Sequence, residues 1–247
     1  MPLRILYYCC IMALLAGCAT KVQGSNSVAN YFSEGEELYG NKKYEESIDK
    51  WKKVKEYGSG SPLLAALADL KIADAQFETK NYIEAAATYE SFGKFHPEND
   101  KAPYAAYRLA LCNYMQIGGV DTDQTPVKNA ISLLESFLKN YPASEYAADA
   151  KKKLADCMVK EAQHEIYIGR FYYRFGDYKA AIKRLEECVA RYPDSPAIDE
   201  AFFYLEKAYS KNGEKERSKE AFNRLFIKFP TSKYLNKTDS ILDRFWR

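Results

Sequence analysis

"YRFGDYKAAIKRLEECVARYP", residues 173–193, holds the decision about the fold. An aromatic, Tyr173, is followed five residues later by a second, Tyr178, with Gly176 and Asp177 just before it; a small residue, Ala181, then bulky residues and a closing proline, Pro193, complete the pattern. That order reads as helix, turn, helix, because the Gly-Asp pair breaks the first helix and proline, having no backbone N–H to donate, stops the second. The arrangement recurs as "YGNKKYEESIDKWKKV" (39–54), "FETKNYIEAAATYESFGKFHP" (77–97), "VKNAISLLESFLKNYP" (127–142) and "KNGEKERSKEAFNRLFIKFP" (211–230). Self-similarity of this kind fixes the architecture before any local reading does.

The unit resembles the tetratricopeptide repeat (TPR), a helical hairpin of about 34 residues in which small side chains let two helices approach closely. The small position ahead of the turn is filled by Gly35, Ala73, Ala110 and Gly169, with Glu206 departing in the last unit. The turn aromatic is Tyr44, Tyr82 and Tyr178, replaced by Val127 and Lys215; the small residue early in the second helix is Ser47, Ala85, Ala130, Ala181 and Ser218. Closing prolines are Pro97, Pro142, Pro193 and Pro230, while the first unit has "YGSGSP" instead. A hairpin cannot bury its apolar face alone, so the expected fold class is all-α, a TPR-like α-solenoid of about five helix-turn-helix repeats.

From Tyr44 through Tyr82, Val127, Tyr178 and Lys215 the steps are 38, 45, 51 and 37, longer than a bare array. The third unit carries the loop "GGVDTDQT" (118–125), and "SEYAADAKKKLADCMVKEAQHEIYIGRFYYRFG" precedes the fourth. The latter contains no proline, starts at Ser144 as N-cap, and predicts a single connecting helix of about 45 Å before repeat four. The expected organisation is a leader over 1–17, a tether over 18–28, an N-terminal module of repeats 1–3 over 29–143, and a C-terminal module over 144–247.

Composition narrows the function. Lys plus Arg number 36 against 34 Asp plus Glu in 247 residues, so no net field draws the chain to nucleic acid. The 21 Tyr against 12 Gly and 9 Pro suit long helices with wide contact faces. At the N-terminus, "ILYYCCIMALLAG" is too short to span a bilayer and reads as a signal peptide. Leu15-Ala16-Gly17-Cys18 resembles the bacterial lipobox, whose cysteine is acylated before cleavage ahead of it. Acyl chains on Cys18 then anchor the protein to a membrane, each buried methylene contributing about 0.8 kcal/mol. Ala19, where an aspartate would retain a lipoprotein in the inner membrane, implies sorting to the outer membrane. Cys112, Cys157 and Cys188 fall at apolar helical positions and read as buried thiols, with a disulfide between two of them as the alternative.

Taken with the lipobox, "FGKFHPENDKAPYAAYRLAL", the insert "VDTDQTPVKNAISLLESFLKNYPASEYAADAKKKL" and the long helix, the chain resembles the BamD family of outer-membrane β-barrel assembly lipoproteins over nearly its whole length. The resemblance implies a scaffold and receptor that docks on the POTRA domains of BamA and receives unfolded barrel proteins through a short amphipathic C-terminal signal, which ends in an aromatic residue and a free carboxylate. It leaves room for further lipoproteins of that complex. If first helices line an inner face, Phe32, Tyr39, Phe77, Tyr104, Tyr107 and Tyr114 face one groove, as wide amphipathic surfaces for an extended peptide. Arg108 beside them is a candidate for the ligand carboxylate, with a solvated arginine as the alternative. Arg170, Arg174, Lys207 and Lys211 form a basic inner face in the second half, suited to an acidic partner surface, and Arg184 matches a family arginine implicated in the BamA contact.

No catalytic pattern emerges. "HEIYI" lacks the second histidine of a zinc protease, His96 and His164 lie in different repeats, and GxSxG, Walker and GxGxxG patterns are missing. "GGVDTDQT" has too few carboxylates for calcium and reads as a turn with a helix cap. Neither an enzymatic activity, a metal nor a cofactor is expected. TPR arrays also serve other envelope systems, such as secretin pilots and cell-wall coordinators, which stand as the alternative.

Overall fold

The computed structural model describes residues 23–58 and 60–237; the leader, Cys18 and the first part of the expected tether, 18–22, lie outside them, while 23–28 belong to the first helix instead of a tether. Among the described residues are ten α-helices and no strand: α1 (Gln23–Gly40), α2 (Tyr44–Tyr57), α3 (Pro62–Glu78), α4 (Tyr82–Phe95), α5 (Ala102–Met115), α6 (Thr125–Asn140), α7 (Ala147–Arg174), α8 (Tyr178–Arg191), α9 (Ile198–Lys211) and α10 (Lys215–Lys228), followed by a 3-10 turn at Leu235–Lys237. This is the TPR-like α-solenoid expected, built from consecutive helix pairs.

Four of the five turns within pairs share one geometry. Lys42, Lys80, Gly176 and Gly213 adopt left-handed backbone, with φ of 59°, 62°, 83° and 85°. Each helix end is closed by two bonds: in the first pair Lys42 N–H donates to Tyr39 O and Lys43 N–H to Leu38 O, both at 2.9 Å. In the fourth, Gly176 N–H donates to Tyr173 O and Asp177 N–H to Tyr172 O. These are Schellman caps, which satisfy carbonyls that a helix end leaves orphaned. The third pair departs because its connection is the inserted loop, and its second helix begins at Thr125, two residues ahead of Val127.

The closing prolines act through the residue before them. His96, Tyr141, Tyr192 and Phe229 have φ between −126° and −131° and ψ between 51° and 62°, outside the helical region, as proline's ring requires of its predecessor. In the first pair α2 stops at Gly58, and Pro62 opens α3 instead of ending α2.

Two compact units partition the chain, one ending at Cys112 and the other beginning at Asn113, rather than dividing at 143/144. The reason lies in α6, which packs along α7: Lys128 Nζ sits 3.9 Å from Oε1 of the buried Glu161. Helix α7 spans 28 residues, about 42 Å. Its flanking residue is Tyr146, not Ser144; the Ser144 hydroxyl accepts from Tyr146 N at 3.3 Å and shapes the turn ahead of the helix.

In the first unit, Trp51 and Val54 are fully enclosed with Val28, Ala68, Ile72 and Ala75, and Tyr89 and Phe92 pack with Ala66, Leu70, Ala73, Ala85 and Ala105. In the second, Leu185, Ile198 and Leu225 centre a larger cluster across α7 to α10. Burying each such aliphatic side chain stabilises by about 1.5–3 kcal/mol. The odd residue Glu206 is buried beside Ser218, whose hydroxyl donates to the Glu206 backbone carbonyl at 3.0 Å and lies 3.4 Å from its Oε1.

Candidate functional site

Helices α3 and α5, the first helices of the second and third repeats, bring Phe77, Tyr104 and Arg108 into one basin of the first unit, while Tyr39 on α1 packs on Tyr44 and Trp51, within electrostatic reach of Asp74. At its centre is Asp74 on α3, a residue that the sequence reading passed over. Asp74 Oδ1 accepts from the Tyr89 hydroxyl at 2.5 Å and from the Tyr104 hydroxyl at 2.6 Å. Arg108 Nε donates to the Tyr89 oxygen at 3.0 Å and lies 3.9 Å from Asp74 Oδ1. The guanidinium sits 3.8 Å above the centre of the Phe77 ring, with Tyr89 and Tyr104 rings at 5.8 Å. Phe77 in turn meets Tyr82 edge-on at 5.1 Å.

The electrostatics follow from burial. Desolvation, reinforced by the Asp74 charge, pushes the Tyr89 and Tyr104 phenols well above their ordinary value. Tyr39 is pushed up to about 12 by desolvation, then by Asp74 and Glu78. All three stay protonated at neutral pH, and Tyr89 and Tyr104 donate to Asp74. Arg108 is therefore not a solvated arginine: its side chain is 16% exposed and sandwiched among aromatics.

Three more expected members lie elsewhere. Phe32 packs at the edge of the Trp51 cluster, where its carbonyl accepts from Trp51 Nε1 at 3.3 Å. Tyr107 is 7% exposed, turned into the packing and away from an open groove. Tyr114 belongs to the second unit, where its hydroxyl donates to Asp156 Oδ2 at 2.9 Å and Lys153 Nζ stands 4.6 Å from its ring centre. Helical spacing put them in one row; a helix presents several faces, and packing chose among them.

The basic face of the second half is only partly free. Arg170 Nη1 donates to Glu200 Oε1 at 3.1 Å, Arg184 Nη1 to Glu165 Oε2 at 3.2 Å, and Lys207 Nζ lies 5.0 Å from the Phe203 ring centre. Arg174 and Lys211 are exposed with no acidic partner among the described residues. A further feature went unread in the sequence: a groove of about 710 Å³ between α8, α9 and α10, floored by Val189, Phe202 and Leu205 and rimmed by Arg217 and Glu220. Its walls come from three helices, so no local motif announces it.

In the inserted loop, Asp123 Oδ1 accepts from Thr125 N at 3.0 Å and from its hydroxyl at 2.8 Å, forming the turn that leads into α6. Val120 O is 2.6 Å from His164 Nδ1, which ties the loop to α7. Among the described residues no group of His, Cys, Asp and Glu is placed to hold a metal. Cys112, Cys157 and Cys188 are buried thiols not joined in a disulfide, and burial pushes them up to about 12, 11 and 12. No helix among the described residues is long and apolar enough to cross a membrane.

Stacked helical hairpins bearing an aromatic basin and charged faces define a TPR-like helical array. The family model YfiO, described as an outer membrane lipoprotein, matches residues 25–225, and the chain belongs to that family. It is 29% identical to an "Outer membrane protein assembly factor BamD" of Caulobacter vibrioides, covering 91% of this chain and 75% of the relative. To the protein of the same description from Rickettsia prowazekii it is 30% identical, covering 90% and 89%. Among solved structures it is similar to a MamA protein (18% identity, TM-score 0.41, 82% of this chain and 91% of that one) and to the TPR2AB domain of yeast Sti1 (17%, 0.43, 84% and 79%).

Proposed function

We propose that the chain is a scaffold and receptor in outer-membrane β-barrel assembly, held to the outer membrane by lipid on Cys18 and facing the periplasm. The first unit receives the C-terminal signals of unfolded outer-membrane proteins; the second docks a BamA-like barrel protein through its POTRA domains. Family membership and the relatives' description as assembly factors support the role. The observation that carries the receptor half is the basin in which Phe77, Tyr104 and Arg108 are held together by Asp74. An aromatic floor beside a desolvated guanidinium suits a peptide ending in an aromatic residue and a carboxylate.

For the docking half, Arg174 and Lys211 are the exposed members of the expected basic face that have no acidic partner among the described residues, and they are free to meet an acidic surface. Reversing both (Arg174→Glu with Lys211→Glu) breaks no ion pair among the described residues, and helical circular dichroism of the variant checks that the fold is kept. Recovery of the BamA-like protein on affinity purification of the variant from membranes is expected to fall at least about tenfold. Undiminished recovery removes this surface from the docking assignment.

A further inference from the structure

The basin contains a directional chain of hydrogen bonds whose origin is Asp74. A phenol has one proton to donate. Tyr89 donates it to Asp74, so the Tyr89 oxygen is left to accept, and Arg108 Nε–H is the group it accepts from. Tyr104 donates to the same carboxylate oxygen and stands edge-on to Tyr89, with ring centres 6.3 Å apart. The Phe77 ring lies against the guanidinium, its centre 3.8 Å from Cζ. At 3.9 Å, Asp74 is too far from Nε for a hydrogen bond, so it offsets the guanidinium charge without occupying a donor. The two Nη groups have no hydrogen-bond partner among the described residues.

Resting on the receptor reading above, we propose that Asp74 is the positioning residue of the basin: through Tyr89 it holds Arg108 against Phe77 with its Nη edge presented end-on to the terminal carboxylate of a bound peptide. An end-on guanidinium offers two parallel N–H donors that match a carboxylate's two oxygens. Partial burial strengthens that pairing relative to water. Fixing the side chain beforehand removes the ordering cost that a free arginine would meet on binding. Without Asp74, the Tyr89 hydroxyl is free to rotate, and its oxygen is no longer held with a lone pair toward Arg108 Nε–H.

Two measurements on the full-length protein in detergent decide this. Fluorescence anisotropy compares a labelled ten-residue peptide ending in phenylalanine with its C-terminal amide. The wild-type protein should prefer the free acid by about tenfold, the worth of one charge-assisted hydrogen bond. Asp74→Ala and Tyr89→Phe should both bring the preference close to one, whereas Asp74→Asn, which keeps an oxygen to accept from the tyrosines, should retain it. In parallel, the Arg108 Nε–H resonance, assigned with Arg108→Lys, should exchange slowly with solvent in wild type and Asp74→Asn, and rapidly in Asp74→Ala and Tyr89→Phe. An unchanged acid-to-amide preference, or unchanged Nε–H protection, in a folded Asp74→Ala or in Tyr89→Phe overturns the proposal. A wild-type protein that binds neither peptide refutes the receptor reading, and the exchange data still decide the positioning role on their own.

Discussion

Gly169 on α7 lies so close to Leu185 on α8 that a Cβ at position 169 would stand 2.6 Å from Leu185 Cδ2. The fourth hairpin thus closes only because one residue has no side chain. Gly169→Ala is expected to destabilise the protein by about 1–3 kcal/mol, the usual cost of overpacking a dense core. A helical control exists in Gly93, whose added Cβ would meet nothing within 4 Å; Gly93→Ala should instead stabilise by about 0.5–1 kcal/mol. Denaturant midpoints of the two variants should move in opposite directions.

Lys80 closes α3 in left-handed backbone at φ 62°, where Gly213 and Gly176 close their own helices without penalty. A side chain in that conformation costs about 1 kcal/mol, and Lys80 is exposed, with nothing to hold it. Lys80→Gly is therefore expected to raise stability by about 0.5 kcal/mol, after the added freedom of the unfolded chain is counted. Chemical denaturation measures it; a destabilised variant would contradict the strain.

High pH should attack the basin. Burial and the neighbouring carboxylates raise the folded Tyr39 phenol to about 12 and those of Tyr89 and Tyr104 further, against an unfolded value of about 10. The folded state therefore binds these protons more tightly than the unfolded chain. Their contribution is present in full below pH of about 10 and is lost as the pH rises toward 12 and beyond. Phenolate absorbance should show a late-titrating set that appears together with loss of helical signal, and Tyr89→Phe should weaken the pH dependence in that window.

The pattern of legibility has physical causes. Prolines 97, 142, 193 and 230 could be read directly, because each restricts only its own predecessor, and the matching dihedrals of His96, Tyr141, Tyr192 and Phe229 bear that out. The left-handed lysines at 42 and 80 could not, since composition points to glycine at such caps. Asp74 was invisible because its partners stand 15 and 30 residues away on other helices. Arg170 looked free for the same reason: Glu200, 30 residues on, is its counter-charge. Periodicity gave the first-helix faces but not their rotation, so Phe77, Tyr104 and Arg108 came together while Tyr39 packed on Trp51 and Tyr107 turned inward.

The central claim is that the first unit receives unfolded barrel proteins within an assembly complex. It is tested most directly by placing a photo-crosslinking amino acid at Phe77 in the full-length lipoprotein, irradiating intact cells and identifying the captured chains by mass spectrometry. The account predicts nascent outer-membrane proteins linked through their C-terminal segments, with a BamA-like protein co-purifying. Capture of a secretin or of cell-wall synthases, without barrel proteins, would contradict it.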